Sequence, residues 1–209
     1  DVYKENSLLH KRGILLEGSP GCGKSSLAYI IAKEAMNISG VAFLLDSPQQ
    51  LPVYVDFIKN IFRSIEPDTP VITIIEDLDY YHDDSEAYLT DFLEGSNSIN
   101  NHLIIATSNN SSGISQKLLR PSRIDIQKVI DIPSKETRRE YFTNKKISEP
   151  LLSELVEASE NFTLAELKEL FICTTIFGYS IEESIDKITS REMQDYMNQT
   201  TLGFINQKS

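Results

Sequence analysis

The chain has 209 residues, 40% of them hydrophobic and 24% charged, enough for one sizeable core with a small appendage and too short for two large domains. Twenty Lys and Arg against 31 Asp and Glu leave a net charge of −11, which opposes the sequence-independent attraction that nucleic-acid binding relies on. No apolar stretch reaches the ~20 residues of a membrane span, and two cysteines, Cys22 and Cys173, are too few for a secreted disulfide framework, so a cytoplasmic or other reducing compartment is expected.

The chain opens at Asp1 rather than Met and carries no charged-then-apolar leader. It therefore reads as a piece of a longer protein, and a membrane anchor upstream is compatible with it.

Gly13 to Glu17 is a short apolar run that reads as a buried strand, and Lys24 to Met36 has helical spacing through Leu27, Ile30, Ile31 and Ala35. Between them lies GSPGCGKSS: Gly18, Ser19, Pro20, Gly21, Cys22, Gly23, Lys24, Ser25 and Ser26. Gly18, Gly23, Lys24 and Ser25 satisfy G-x-x-x-x-G-K-[ST] in its required strand–loop–helix setting. The glycines let backbone N–H groups ring the phosphates of a nucleotide, Lys24 reaches the β/γ oxygens, and the Ser25 hydroxyl ligates Mg²⁺. The N-terminus of the following helix adds its dipole. Cys22 reads as a small residue tolerated in the loop, with a redox-sensitive thiol as the lesser alternative.

Val41 to Leu45 is a second strand, followed by a helix with Val53, Phe57, Ile58, Ile61 and Phe62 on one face. Val71 to Ile75 is a β-branched strand that ends in Glu76, Asp77 and Asp79. Strand C-termini of a parallel sheet face the ligand crevice, where a nucleotidase needs one carboxylate for the Mg²⁺ shell and another to activate water. Glu76 and Asp77 can supply both, and which does which stays open. His82, Asp83 and Asp84 read as solvated surface rather than a metal site, and His10 and His102 show no recognisable partner. Ala87 to Leu93 reads as a helix, Leu103 to Ala106 as a fourth strand and Ile124 to Ile132 as a fifth. Beyond Pro133 the segments are helical: Lys135 to Lys145, Glu149 to Ser159, Thr163 to Phe177 and Ile181 to Ile188, with Ser134 and Thr163 as N-caps. The expected organisation is α/β, a P-loop core over 1–133 with a five-stranded parallel sheet between helices, then an all-helical lid over 134–190. A Gln-, Asn- and Ser-rich tail over 191–209, partly disordered, closes the chain.

These motifs together resemble the AAA ATPase family over almost the whole chain. Gly-Ser-Pro-Gly-Cys-Gly-Lys-Ser is similar to the family's Gly-Pro-Pro-Gly-Thr-Gly-Lys-Thr, and Glu76-Asp77-Leu78-Asp79 to its Asp-Glu-x-Asp with the first two acids reversed. Ala106-Thr107-Ser108-Asn109 resembles Ala-Thr-Thr-Asn, whose Asn places the attacking water, and Leu119 to Asp125 resembles Leu-x-Arg-Pro-Gly-Arg-x-Asp. The resemblance implies ATP and Mg²⁺ as ligands, Ser25 and Glu76 at the metal, Asp77 as base and Asn109 as sensor. It also implies Arg120 and Arg123 as fingers reaching into a neighbouring copy's site; read without it, they are two cations near a turn, equally suited to a surface salt bridge.

The implied activity is ATP hydrolysis by a homo-oligomeric ring, hexameric or heptameric, coupled to protein remodelling, chaperone activity or translocation. The lid start Phe162 to Leu167 carries no sensor arginine, as in the protein-remodelling branch. The reversed acids and Arg-Pro-Ser-Arg-Ile-Asp resemble the mitochondrial AAA translocases that assemble the Rieske iron–sulfur protein, and their bacterial relatives. Where unfoldases of the family carry an aromatic-Val-Gly pore loop, this chain has Ser47 to Val55 with two prolines; Tyr54 there is either a pore residue or a residue packed in the first helical turn. Two alternatives remain: a nucleic-acid-handling ATPase of the clamp-loader or initiator kind, and a slow nucleotide-gated assembly module.

Overall fold

The computed structural model describes residues 5, 6, 8–94 and 99–190. The predicted tail over 191–209 lies outside them. Two compact units divide the chain, Asp1–Asp131 and Ile132–Ser209.

The first unit is built on a five-stranded parallel sheet: β1 (Lys11–Glu17), β2 (Val41–Leu45), β3 (Val71–Ile75), β4 (His102–Ser108) and β5 (Ile126–Val129), in the spatial order β2-β3-β4-β1-β5. All five residues of β3 and six of seven in β4 are buried, because interior strands of a parallel sheet are covered on both faces. Alternation then sends neighbours to opposite sides. Leu15, Ile75 and Ile104 join one core with Leu51, Tyr54, Val55, Ile58, Leu89 and Phe92. Leu16, Ile74 and Ile105 join the other with Ala28 and Ala32.

Helix α1 (Lys24–Asn37) covers one face of the sheet through Ala28 and Ala32. Small residues there let the helix lie close to the strands, and Ile30, expected on that face, is 59% exposed. The other face receives α2 (Gln50–Asp56), which runs on through a π-helical stretch, Phe57–Phe62, and α3 (Asp83–Glu94).

The buried side of α2 and its continuation matches the expected one only in part, since Ile58 is buried and Phe62 packs against the same core. Leu51, Tyr54, Val55 and Ile58 pack inward, while Val53, Phe57 and Ile61 are exposed. The reason is the helix start: it begins at Gln50 with Pro52 inside the first turn, where a missing N–H costs nothing. The inward stripe accordingly starts at Leu51 rather than Val53.

Strand β4 is longer than predicted and carries order to Ser108, beside Asn109. Strand β5 is shorter than the expected Ile124 to Ile132, because Ile124 and Asp125 instead anchor a turn against β1: the Asp125 amide donates to the Gly13 carbonyl at 2.8 Å, and its Oδ2 accepts from the Gly13 amide at 2.9 Å.

In the second unit α4 (Lys135–Asn144), α5 (Leu151–Ala158), α6 (Leu164–Phe171, extended by a π-helical stretch, Ile172–Ile176) and α7 (181–190) enclose Phe142, Leu155, Val156, Leu167, Leu170 and Ile188. Ser134 caps α4, its side chain accepting from the Thr137 amide. Thr163 and Glu166 form a reciprocal capping box on α6. Among the described residues no helix is long and apolar enough to cross a membrane.

Candidate functional site

The loop Gly18–Gly23 connects the end of β1 to α1. Gly18 has φ +150°, and a Cβ there would meet the Ile130 carbonyl at 2.2 Å, so a side chain is excluded by both conformation and space. Gly21 and Gly23 also have positive φ, +79° and +98°; the second turns the chain directly into the first helical residue, Lys24. Ser19, Pro20, Gly21 and Ser26 are exposed, whereas Cys22 is buried at 2% exposure. Both cysteines are buried and neither is in a disulfide, which fits Cys22 as a packing residue.

Lys24 is 6% exposed. Its ammonium donates to the carbonyls of Gly18 at 2.7 Å and Ser19 at 3.0 Å, and to Asn109 Oδ1 at 2.8 Å. All three acceptors are neutral. A buried cation with only neutral partners calls for an anion, and the adjoining cradle of backbone N–H groups is suited to one.

Asn109 continues the chain of contacts. Its Nδ2 donates to Asp77 Oδ1 at 3.0 Å. Asp77 stands in the left-handed region, φ 50°, with its amide donating to Thr107 Oγ1 at 3.2 Å. That turn aims the carboxylate across the end of β4 rather than along β3. Burial, and after it the charges of Asp79 and Glu76, pushes the Asp77 carboxyl above the ordinary aspartate range, against the opposing pull of Lys24 and Asn109. Proton affinity raised in this way suits a general base.

Glu76 points the other way. Its Oε2 accepts from Ser25 Oγ at 3.1 Å and its Oε1 from the Tyr29 hydroxyl at 2.8 Å. The Ser25 hydroxyl beside a carboxylate is a donor set of the all-oxygen kind that Mg²⁺ prefers. Asp79, a third carboxylate at the strand end, accepts from Ser108 Oγ at 2.9 Å and from the Asn109 amide at 3.4 Å. It holds the segment that carries Asn109 in place.

The two arginines differ. Arg120 is exposed, and among the described residues its guanidinium makes no hydrogen bond or ion pair. Arg123 is tied down within the chain: Nε donates to Glu94 Oε2 at 2.6 Å and a terminal nitrogen to the Lys117 carbonyl at 2.6 Å, leaving its side chain 13% exposed. The structure thus gathers Lys24, Ser25, Glu76, Asp77 and Asn109 into one cluster and leaves the arginine pair on a separate turn.

Two further positions settle questions that the sequence left open. Tyr54 is 7% exposed, packs on Phe43 and Phe92, and shares a hydrogen bond with the Thr73 hydroxyl. It is a core residue and offers nothing to a threaded polypeptide. His102, for which no partner was expected, is buried with Nε2 2.7 Å from Thr73 Oγ1. The sequence reading also passed over Tyr29. The available signal was its spacing, four residues after Ser25 on one helical face.

The family model for the ATPase family associated with various cellular activities (AAA) matches residues 14–132. Among curated relatives, the ATP-dependent zinc metalloprotease FtsH 1 of Sphaerobacter thermophilus is 30% identical over 76% of this chain and 27% of its own length. The proteasome-associated ATPase of Nakamurella multipartita is 28% identical over 71% of this chain and 30% of its own. The vesicular-fusion protein SEC18 of Candida albicans is 28% identical over 85% of this chain and 26% of its own. The chain therefore spans less than a third of the length of these three relatives.

Proposed function

Because the chain belongs to the AAA family of ATPases, we propose that it binds and hydrolyses ATP with Mg²⁺ as one subunit of a homo-oligomeric ring, hexameric or heptameric, and couples hydrolysis to the remodelling of protein. The observation that carries this reading is the continuous contact Lys24–Asn109–Asp77 beside the Ser25–Glu76 pair. It sets a phosphate-binding cation, a water-orienting amide and a base of raised proton affinity in one row.

Backbone amides of Gly18 to Ser26 and the Lys24 ammonium hold the phosphates. Ser25 and Glu76 would hold Mg²⁺, which would supply neutralisation of charge on phosphate oxygens. Asn109 orients a water and Asp77 Oδ takes its proton. Arg120, exposed and unengaged among the described residues, is the readier finger toward a neighbouring copy's site; Arg123 would first have to leave Glu94. An arginine finger raises phosphoryl-transfer rates by about 10³ to 10⁵.

A protein partner is favoured over nucleic acid by the net charge of −11, and by the names of the relatives, two of which denote proteolysis and one vesicle fusion. Two cysteines outside any disulfide fit a cytoplasmic or other reducing compartment.

The deciding experiment is the ATPase rate per subunit against protein concentration. A rate that climbs as subunits associate, and that Lys24→Ala abolishes, supports the reading. Activity independent of concentration contradicts the shared site.

A further inference from the structure

Ser25 and Tyr29 lie four residues apart on α1 and therefore share one face of the helix. Each gives its hydroxyl hydrogen to a different oxygen of the same carboxylate: Ser25 to Glu76 Oε2 at 3.1 Å, Tyr29 to Glu76 Oε1 at 2.8 Å. The second contact is the shorter, and it comes from a side chain that is otherwise in solvent, 45% exposed. Core packing therefore does not account for where the Tyr29 ring lies, and its hydroxyl meets the same carboxylate that accepts from Ser25 of the loop.

From this geometry we infer that Tyr29 is a positioning residue for the metal: it holds Glu76 in the orientation in which that carboxylate and the Ser25 hydroxyl together receive Mg²⁺. The inference rests on the ATP-site reading above and deepens it by separating the two acids. Glu76 is held from the α1 side by two hydroxyls, and Asp77 from the β4 side by Asn109. An unrestrained glutamate has three rotatable side-chain bonds, and fixing it in advance removes an ordering cost that metal binding would otherwise carry.

The test is binding of a fluorescent, non-hydrolysable ATP analogue to the full chain and to Tyr29→Phe, first in EDTA and then across a Mg²⁺ titration. Because Tyr29 is largely exposed, removing one oxygen leaves the fold intact, which thermal denaturation checks. The expected result is equal affinity in EDTA, with the half-saturating Mg²⁺ concentration raised about three- to tenfold in Tyr29→Phe, the size of one charge-assisted hydrogen bond. In a Glu76→Ala background the same substitution should change nothing, because the group through which Tyr29 acts is gone. Identical Mg²⁺ titrations for the two proteins overturn the inference. So does an equal loss of affinity with and without Mg²⁺, which would mark a general disturbance of the loop. Failure of the unsubstituted chain to bind the analogue at all is a separate result: it overturns the ATP-site reading and takes this inference with it.

Discussion

Asn109 Nδ2 donates to Asp77 Oδ1 at 3.0 Å while Asn109 Oδ1 accepts from Lys24 at 2.8 Å, so one amide links the candidate phosphate-binding cation to the candidate base. Since the amide is fixed at both ends, Asp77 cannot swing toward Glu76 without breaking the row. Asp77→Asn is accordingly expected to retain ATP binding and to lose hydrolysis by about 10² to 10⁴. Glu76→Gln should instead weaken the Mg²⁺ dependence of binding. Normal turnover by Asp77→Asn together with a dead Glu76→Gln would exchange the two roles.

The raised proton affinity of Asp77 sets a pH dependence in a defined direction. Only the deprotonated carboxylate can take a proton from water, so the rate rises with pH through the folded-state value, and that rise falls above the ordinary aspartate range. Stability runs the other way. A folded carboxyl with a raised value contributes most below its unfolded titration and loses that contribution as pH climbs through the folded value. Asp77→Asn should therefore melt higher than the parent at pH 7, with the difference shrinking toward pH 3.5. Calorimetric scans at the two pH values check it.

Arg120 and Arg123 should separate under substitution. Arg120→Ala removes an exposed side chain and is expected to leave the melting temperature unchanged while abolishing association-dependent hydrolysis. Arg123→Ala also breaks the Glu94 pair and the bond to the Lys117 carbonyl, and should cost about 1 kcal/mol of stability besides. Mixing Lys24→Ala with Arg120→Ala, each inactive alone, restores part of the activity if sites are shared. No recovery in a demonstrated mixed oligomer would assign Arg120 a role within its own subunit.

What the sequence made readable follows from how local each signal is. The phosphate loop and the two N-caps depend on a few consecutive residues, and all three occupy the expected places. The acidic strand end was legible as a group, yet the division between Glu76 and Asp77 was not, because it depends on one left-handed backbone residue and on partners 32 and 51 positions away. The α2 face was read only in part for a similar reason: Ile58 does pack, but Val53, Phe57 and Ile61 are equally apolar at helical spacing, and only the contact with the sheet shows that Leu51 and Tyr54 pack in their place. Arg123 looked equivalent to Arg120, and nothing within the motif points to Glu94.

The buried chain Tyr54–Thr73–His102 carries its own acid sensitivity. Burial foremost, then the nearby Arg63 and Lys11 charges, pushes the His102 imidazole down to about 3, against an unfolded value of about 6.5. Between these values the unfolded chain holds the extra proton. Stability is therefore full above about pH 6.5 and falls as pH drops toward 3, by at most ~1.4 kcal/mol per pH unit. Urea titrations of His102→Leu should show a flatter profile between pH 6.5 and 5. An unchanged slope would assign the acid sensitivity to other groups.

Gly13 offers a way to disturb the arginine turn without touching the phosphate loop. A Cβ at this position would sit 2.0 Å from the Arg123 carbonyl, and that neighbour is backbone, so the segment carrying Arg120 must shift. The same glycine exchanges two hydrogen bonds with Asp125, which holds that segment on β1. Gly13→Ala is expected to cost about 1–3 kcal/mol of stability and to leave nucleotide affinity near normal, because Gly18 to Ser26 lie beyond the strand. The rise of hydrolysis with protein concentration should disappear. Equilibrium denaturation, analogue binding and the concentration series measure the three effects separately. A Gly13→Ala protein that is destabilised yet still gains activity on association would mean that the placement of the Arg120 turn does not govern the shared site.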